Sequence, residues 1–222
     1  EQKTKAYYNT LVQFNQLTIA NYTSLTWQST LNLLGFAEHP TILSGEALQE
    51  TELIPLLKEA RDFTGLSTFY LYKLVLCFLF REIESGIEYA AELKRYLIGL
   101  NGSICEPTFY FYDSLVILAA LTQSEDRSEL LERVEQNQTQ LQQHWAKYAP
   151  MNHQHKVDLV AAEKYRILEK KAEAIELYDK AISGAKANEY TQEEALANEL
   201  AAKFYLDWGK EKVASGYMQE AY

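Results

Sequence analysis

Cysteine is scarce here: 222 residues contain only two, Cys77 and Cys105. One lies inside an apolar run and the other close to Pro107, so neither a disulfide framework nor a zinc knuckle is expected, and a reducing cytoplasm suits the chain. Long hydrophobic runs are missing as well. The most apolar stretch, Leu74 to Phe80 (LVLCFLF), lies between Lys73 and Arg81 and falls far short of the roughly 20 residues that cross a bilayer. It reads as a fully buried helix. Positive charge is in deficit, with 21 Lys and Arg against 31 Asp and Glu and a formal net charge of −10. Apart from Lys94-Arg95 the basic residues are dispersed, which argues against nucleic acid and against anionic membrane surfaces. No GxxxxGK[ST], GxGxxG, HExxH, GxSxG or CxxC occurs, so phosphate cradling, zinc hydrolysis and elbow-serine chemistry lack their minimal parts. Strand-type alternation is absent over any useful length, and no signal peptide is expected, because Glu1, Lys3 and Lys5 precede no continuous apolar segment.

What is present is an ordinary folded composition, 47% hydrophobic and 23% charged, on a chain long enough for one helical domain or an elongated repeat array. The C-terminal third carries an internal repeat. In KAEAIELYDKAI, Ala174, Tyr178 and Ala181 share one helix face, and Ala162 and Tyr165 form a similar stripe upstream. Forty residues later Ala202, Tyr205, Ala214 and Ala221 recur, with Met218 in place of Tyr178, and Lys170 matches Lys210. Small residues a turn apart let a second helix approach closely. The pattern fits a tetratricopeptide-like helical hairpin, its excess over the usual repeat of about 34 residues assigned to the polar connector Lys186 to Gln192.

The predicted fold is all-α, an α-α superhelix of antiparallel hairpins read as one domain over 1–222. It divides into N-terminal helices and a loop (1–62), degenerate hairpins (64–148) and the two clearest repeats (152–222). Residues 3–34 form one helix or two, with Gly35 as the terminal cap. Phe36 to Ala47 is the longest loop, and Glu50 to Asp62 a short helix with Pro55 in its first turns. Helices follow over Thr64 to Phe80, over Glu84 to Gly99, and from Pro107 onward. Ser124 caps a polar helix with Glu125-Asp126 in its first turn, Pro150 stops that helix at Lys147, and Asn152 caps the next. The last helix begins near Glu211 with its pattern still running at Tyr222. With no Met at the front, the sequence is expected to be a segment of something longer.

His144, His153 and His155 are the one cluster of metal-capable side chains. Histidines two apart do not share a helix face and no further ligand completes a set, so no metal and no cofactor is expected. Glu193, Glu194 and Glu199 read as solvated first-turn carboxylates. Phe69-Tyr70-Tyr72 and Phe109-Tyr110-Phe111-Tyr112 wrap around their helices and suit core packing, with part of each facing a neighbouring hairpin or a partner. If the hairpins stack, the inner groove would be lined by Lys156, Glu163, Arg166, Glu199 and Lys203, a mixed-charge surface for a polar peptide or another domain.

Three stretches, EYTQEEALANELAAKFYLDWGKEKVASGYMQEAY, YAPMNHQHKVDLVAAEKYRILEKKAEAIELYDKAI and WQSTLNLLG, resemble the helical region of bacterial, chiefly cyanobacterial, multi-sensor signal-transduction kinases. In those long chains a serine/threonine kinase domain and a P-loop ATPase precede a tetratricopeptide-like region, which a GAF sensor and a histidine kinase follow. The resemblance implies a non-catalytic region that makes protein-protein or interdomain contacts, with every catalytic motif lying elsewhere. His153 and His155 match no phosphoacceptor motif. The alternative is a sensor of small molecules or peptides, marked by a deep pocket at Tyr72, Phe111 or Tyr112; a cryptic metalloenzyme built on the three histidines is the third reading.

Overall fold

The computed structural model describes residues 2–121 and 128–222, and among them all regular structure is helical. The cap expected at Ser124 and the acidic turn Glu125-Asp126 lie outside the described residues. The chain forms two compact units, residues 1–112 and 113–222.

In the first unit the N-terminal stretch is two helices, α1 (Gln2–Gln13) and α2 (Leu17–Leu33), broken at Asn15, whose φ is 54°. Helix α1 buries no residue: Tyr7 is exposed and Tyr8 is half-buried with its ring 5.7 Å from that of Trp27, while Phe14 and Leu17 at the break are exposed. Residues 34–49 form the long loop, which holds an isolated bridge between Ser44 and Gln49. Then come α3 (Glu50–Glu59), α4 (Phe63–Leu79), α5 (Ile83–Arg95) and a 3-10 turn at Leu97–Leu100. Pro55 stands sixth in α3, beyond the first turns where a missing N–H costs nothing, so that helix lacks one internal bond. The apolar run 74–80 lies on α4, which packs on α2, α3, α5 and the 3-10 turn, and Leu74, Leu76 and Cys77 are fully buried. Helix α6 (Cys105–Ala120) takes Pro107 as its third residue.

The second unit contains α7 (Ser128–Gln140), which widens into a π turn at Leu141–Ala146, then α8 (Pro150–Ile167), α9 (Lys171–Ala187), α10 (Thr191–Asp207) and α11 (Glu211–Ala221). Pro150 opens α8 as its first residue, where its fixed φ and absent N–H fit a helix start. Asn152 therefore sits within the first turn and is not the cap; its Oδ1 accepts the Tyr190 hydroxyl at 3.0 Å. Each of α8 to α11 packs on the next, and α10 also touches α8. The small-residue stripe is buried: Ala162, Ala174, Ala181, Ala202 and Ala214 are all shielded from water.

The corners explain the forty-residue offset. At α1, α2, α3, α4, α8, α9 and α10 the chain leaves the helix through one left-handed residue: Asn15, Gly35, Arg61, Arg81, Glu169, Glu189 and Gly209. At each, the amide of that residue and the next fold back on the last turn, as in Glu189 N to Lys186 O (3.2 Å) and Tyr190 N to Ala185 O (2.9 Å), a Schellman closure. Helices α9 and α10 are each 17 residues long, with three-residue corners at 188–190 and 208–210. The extra length over the common repeat thus lies in the helices themselves, and not in the connector at 186–192.

Left-handed geometry is strained for any residue with a Cβ, by about 1–2 kcal/mol, partly offset by the chain entropy glycine loses on folding. Glu169→Gly and Glu189→Gly should each stabilise the protein by about 0.5–1 kcal/mol in urea unfolding, whereas Gly209→Ala should destabilise it by about 1 kcal/mol. A loss of stability in the glutamate variants would mean those side chains make contacts that outweigh the strain.

Candidate functional site

The polar residues that the sequence places on α8 and α10 converge in two clusters within the second unit. The first joins the start of α8 to that of α10. Lys156 is buried, its Nζ 3.0 Å from Glu193 and 4.5 Å from the centre of the Tyr190 ring. It also lies 3.2 Å from the Asn152 carbonyl, to which it donates, and 3.1 Å from His155 Nε2. Burial lowers the pKa of Lys156, and the Glu193 carboxylate works against that. With Lys156 as the donor, His155 carries its own proton on Nδ1, a buried atom with no hydrogen-bond partner. Gly184 leaves room for the imidazole: a Cβ there would come within 3.3 Å of the His155 Cβ.

Burial first, then the Lys156 and His153 charges, push the His155 imidazole down to about 3 from its usual 6.5. A histidine held neutral in the fold binds fewer protons than the unfolded chain at every pH below about 6.5, so stability falls as pH drops through that window towards 3. Between pH 7 and pH 5 the loss from this group is about 2 kcal/mol. His155→Leu should flatten that part of the urea-midpoint profile, and an unchanged slope would place the imidazole in water.

The second cluster lies at the other end of α8. Glu163 is buried and accepts from the Tyr178 hydroxyl in a short bond, from Arg166 Nε at 3.0 Å and from Arg166 Nη2 at 2.7 Å. Burial and the adjacent Glu163 carboxylate push the Tyr178 phenol well above its ordinary range. For Arg166 burial alone would favour the neutral form, and Glu163, with Tyr178 and Asp207 beyond it, more than reverses this.

Beside Arg166 a pocket of about 510 Å³ opens, lined by Arg166, Glu169 and Lys171 on one side and by Phe204, Asp207 and Trp208 on the other. Lys171 Nζ sits 4.6 Å and Lys210 Nζ 5.4 Å from the Trp208 ring centre. Two cations, two carboxylates and two aromatic rings in one concavity suit a peptide segment or a small molecule bearing both charge signs.

Of the five residues expected along a groove, then, Lys156 and Glu163 are buried and tied into interhelical bonds, and Arg166 borders the open pocket. Glu199 and Lys203 form an i,i+4 ion pair on α10. The three histidines stay apart: His144 is in the π turn, His153 meets the Trp145 ring edge-on at 5.6 Å, and His155 faces Tyr190. Among the described residues no group of three His, Cys, Asp or Glu side chains is placed to hold a metal ion. Phe69, Tyr70, Phe109, Phe111 and Tyr112 are core, and the Tyr72 hydroxyl pairs with Thr26 at 2.9 Å.

Two buried ionic groups went unmarked in the sequence reading. Lys73 reaches Glu50 at 2.9 Å and the Thr41 carbonyl at 2.5 Å, and Asp113 takes Arg133 through both oxygens and Asn137 at 2.7 Å. Each is a lone charge in an apolar run (LYKLVL, FYDSLV), a pattern that demands a buried partner. Comparison of the chain with family models, with curated proteins and with solved structures found no match. No helix among the described residues is long and apolar enough to cross a membrane.

Proposed function

We propose that this chain is a non-catalytic, tetratricopeptide-like superhelix that binds protein or neighbouring domains within a cytoplasmic, multidomain signal-transduction kinase. The observation that carries the reading is the serial stacking of α8, α9, α10 and α11 through buried alanines, with the same left-handed corner at 169, 189 and 209. A surface built from identical steps presents side chains at regular intervals, which is how repeat proteins hold extended ligands. The kinase context rests on the resemblance of the quoted stretches alone. In mechanism, a domain or protein seated on the array would shift how its neighbours dock, by whatever difference in affinity it has for the two arrangements.

A sensor of peptides or small effectors is the second reading. The mixed-charge pocket at Arg166, Lys171 and Trp208 favours it, in a place other than the Tyr72 and Phe111 region that the sequence suggested.

The test is an affinity capture of the kinase and ATPase segments of the parent protein on immobilised chain. Retention of at least one, weakened by salt or by changes on α8 and α10, supports the interaction reading. Retention of none overturns it.

A further inference from the structure

The charges around the pocket beside Trp208 define what kind of molecule would complete it. Its lining carries two cations, Arg166 and Lys171, and two carboxylates, Glu169 and Asp207. One of these charges is already matched. Arg166 is held by the buried Glu163 through Nε and Nη2, so that pair is neutral and its guanidinium is fixed in direction. The other three stand open. Among the described residues the side chains of Lys171, Glu169 and Asp207 enter no hydrogen bond and no ion pair, although Asp207 lies close enough to Arg166 to favour its charged form. Lys171 is placed instead by the Trp208 ring, whose centre is 4.6 Å from Nζ, and such a contact orients an ammonium without neutralising it. Glu169 is set at its corner by a left-handed backbone, φ 58°. Phe204, which is buried, and Trp208 supply an apolar wall, their ring centres 6.0 Å apart. The unmatched set is thus one cation and two carboxylates, and its complement is one carboxylate and two cations joined by an apolar stem.

We propose that this pocket binds a free basic α-amino acid of the arginine or lysine type. The α-carboxylate meets Lys171, the α-ammonium and the side-chain cation are taken by Asp207 and Glu169, and the aliphatic stem lies against Phe204 and Trp208. A volume of about 510 Å³ suits a ligand of that size. A neutral amino acid would leave one carboxylate without a partner, and a diamine would leave Lys171 without one. Because Lys171 opens α9 and Asp207 closes α10, an occupant would tie consecutive hairpins together. The proposal deepens the sensor reading above, and rests on it, by naming the effector class.

Isothermal titration calorimetry of the full chain tests it with four small molecules: L-arginine, agmatine, which lacks the carboxylate, N-acetyl-L-arginine, which lacks the ammonium, and L-citrulline, which lacks the side-chain charge. Arginine should saturate with a Kd below about 1 mM, and each of the others should bind about tenfold more weakly. Lys171→Gln should weaken arginine about tenfold and leave agmatine unchanged, whereas Asp207→Asn should weaken both. Both side chains are exposed, so helical circular dichroism should be retained. Agmatine or citrulline binding as tightly as arginine would overturn the amino-acid assignment and leave the sensor reading standing. Arginine binding that ignores both substitutions overturns the proposal by placing the ligand elsewhere. Saturation by none of the four up to about 10 mM overturns it too, and removes the pocket as support for the sensor reading.

Discussion

Tyr178→Ala should cost about 3–5 kcal/mol, the larger of the losses expected from any single change in residues 152–222. Its ring is fully buried between α8 and α10, packed on Phe204, and its hydroxyl is one of the groups that hold the buried Glu163 carboxylate. Truncation opens a cavity at the centre of the stack and leaves Glu163 to Arg166 alone. Tyr178→Phe separates the two effects: it keeps the ring and removes one donor from a carboxylate, so about 1–2 kcal/mol is expected. Urea unfolding followed by circular dichroism measures both. A loss below about 1 kcal/mol for the alanine variant would mean that the ring is not enclosed.

The second large effect belongs to the first unit. Lys73 is 2% exposed, and its ammonium is shared among Glu50, the Thr41 carbonyl and the face of Tyr89 at 5.0 Å. Glu50 in turn accepts from the Leu43 amide at 2.8 Å, so this one pair pins the loop over residues 36–47 to α4. Lys73→Ala strands a largely buried carboxylate and should cost about 3–5 kcal/mol. Removing both charges, in Lys73→Met with Glu50→Gln, should cost clearly less than the sum of the single changes, because the desolvation penalty disappears with the pair. Additive losses would show that the two groups are not coupled.

The helices were legible wherever an apolar face had a fixed period. The stripe Ala174, Tyr178, Ala181 and its echo at Ala214 are buried as their spacing implies, and the corner at Gly209-Lys210 falls where the pattern breaks. Less legible was why the offset is forty. Five of the seven corners use residues with a Cβ in left-handed geometry, so composition gives no glycine to mark them. Groove residues were placed by face, which periodicity supplies, but their partners come from other helices. Nothing local tells that Lys156 meets Glu193 or that Glu163 meets Tyr178. The pocket at Trp208 was missed for the same reason, since its walls are the ends of α8 and α10 and the start of α9, far apart in sequence. Pro150 both follows the end of one helix near Lys147 and opens the next, so the cap falls on Ala149 and not on Asn152, which the sequence alone does not distinguish.

The central claim is that the successive helices α8 to α11 nest through small residues. Thiol labelling tests it directly. Burial pushes the native Cys77 thiol up to about 11 and raises Cys105 as well, so a Cys105→Ser background is quiet at pH 8. In that background Ala174→Cys should react with a disulfide reagent at least about a thousandfold more slowly in the folded than in the unfolded protein, a protection equivalent to about 4 kcal/mol of opening. Ser215→Cys, at an exposed position of α11, should react within a few-fold of the unfolded rate. Equal and rapid reaction at both positions would contradict the nesting of these helices.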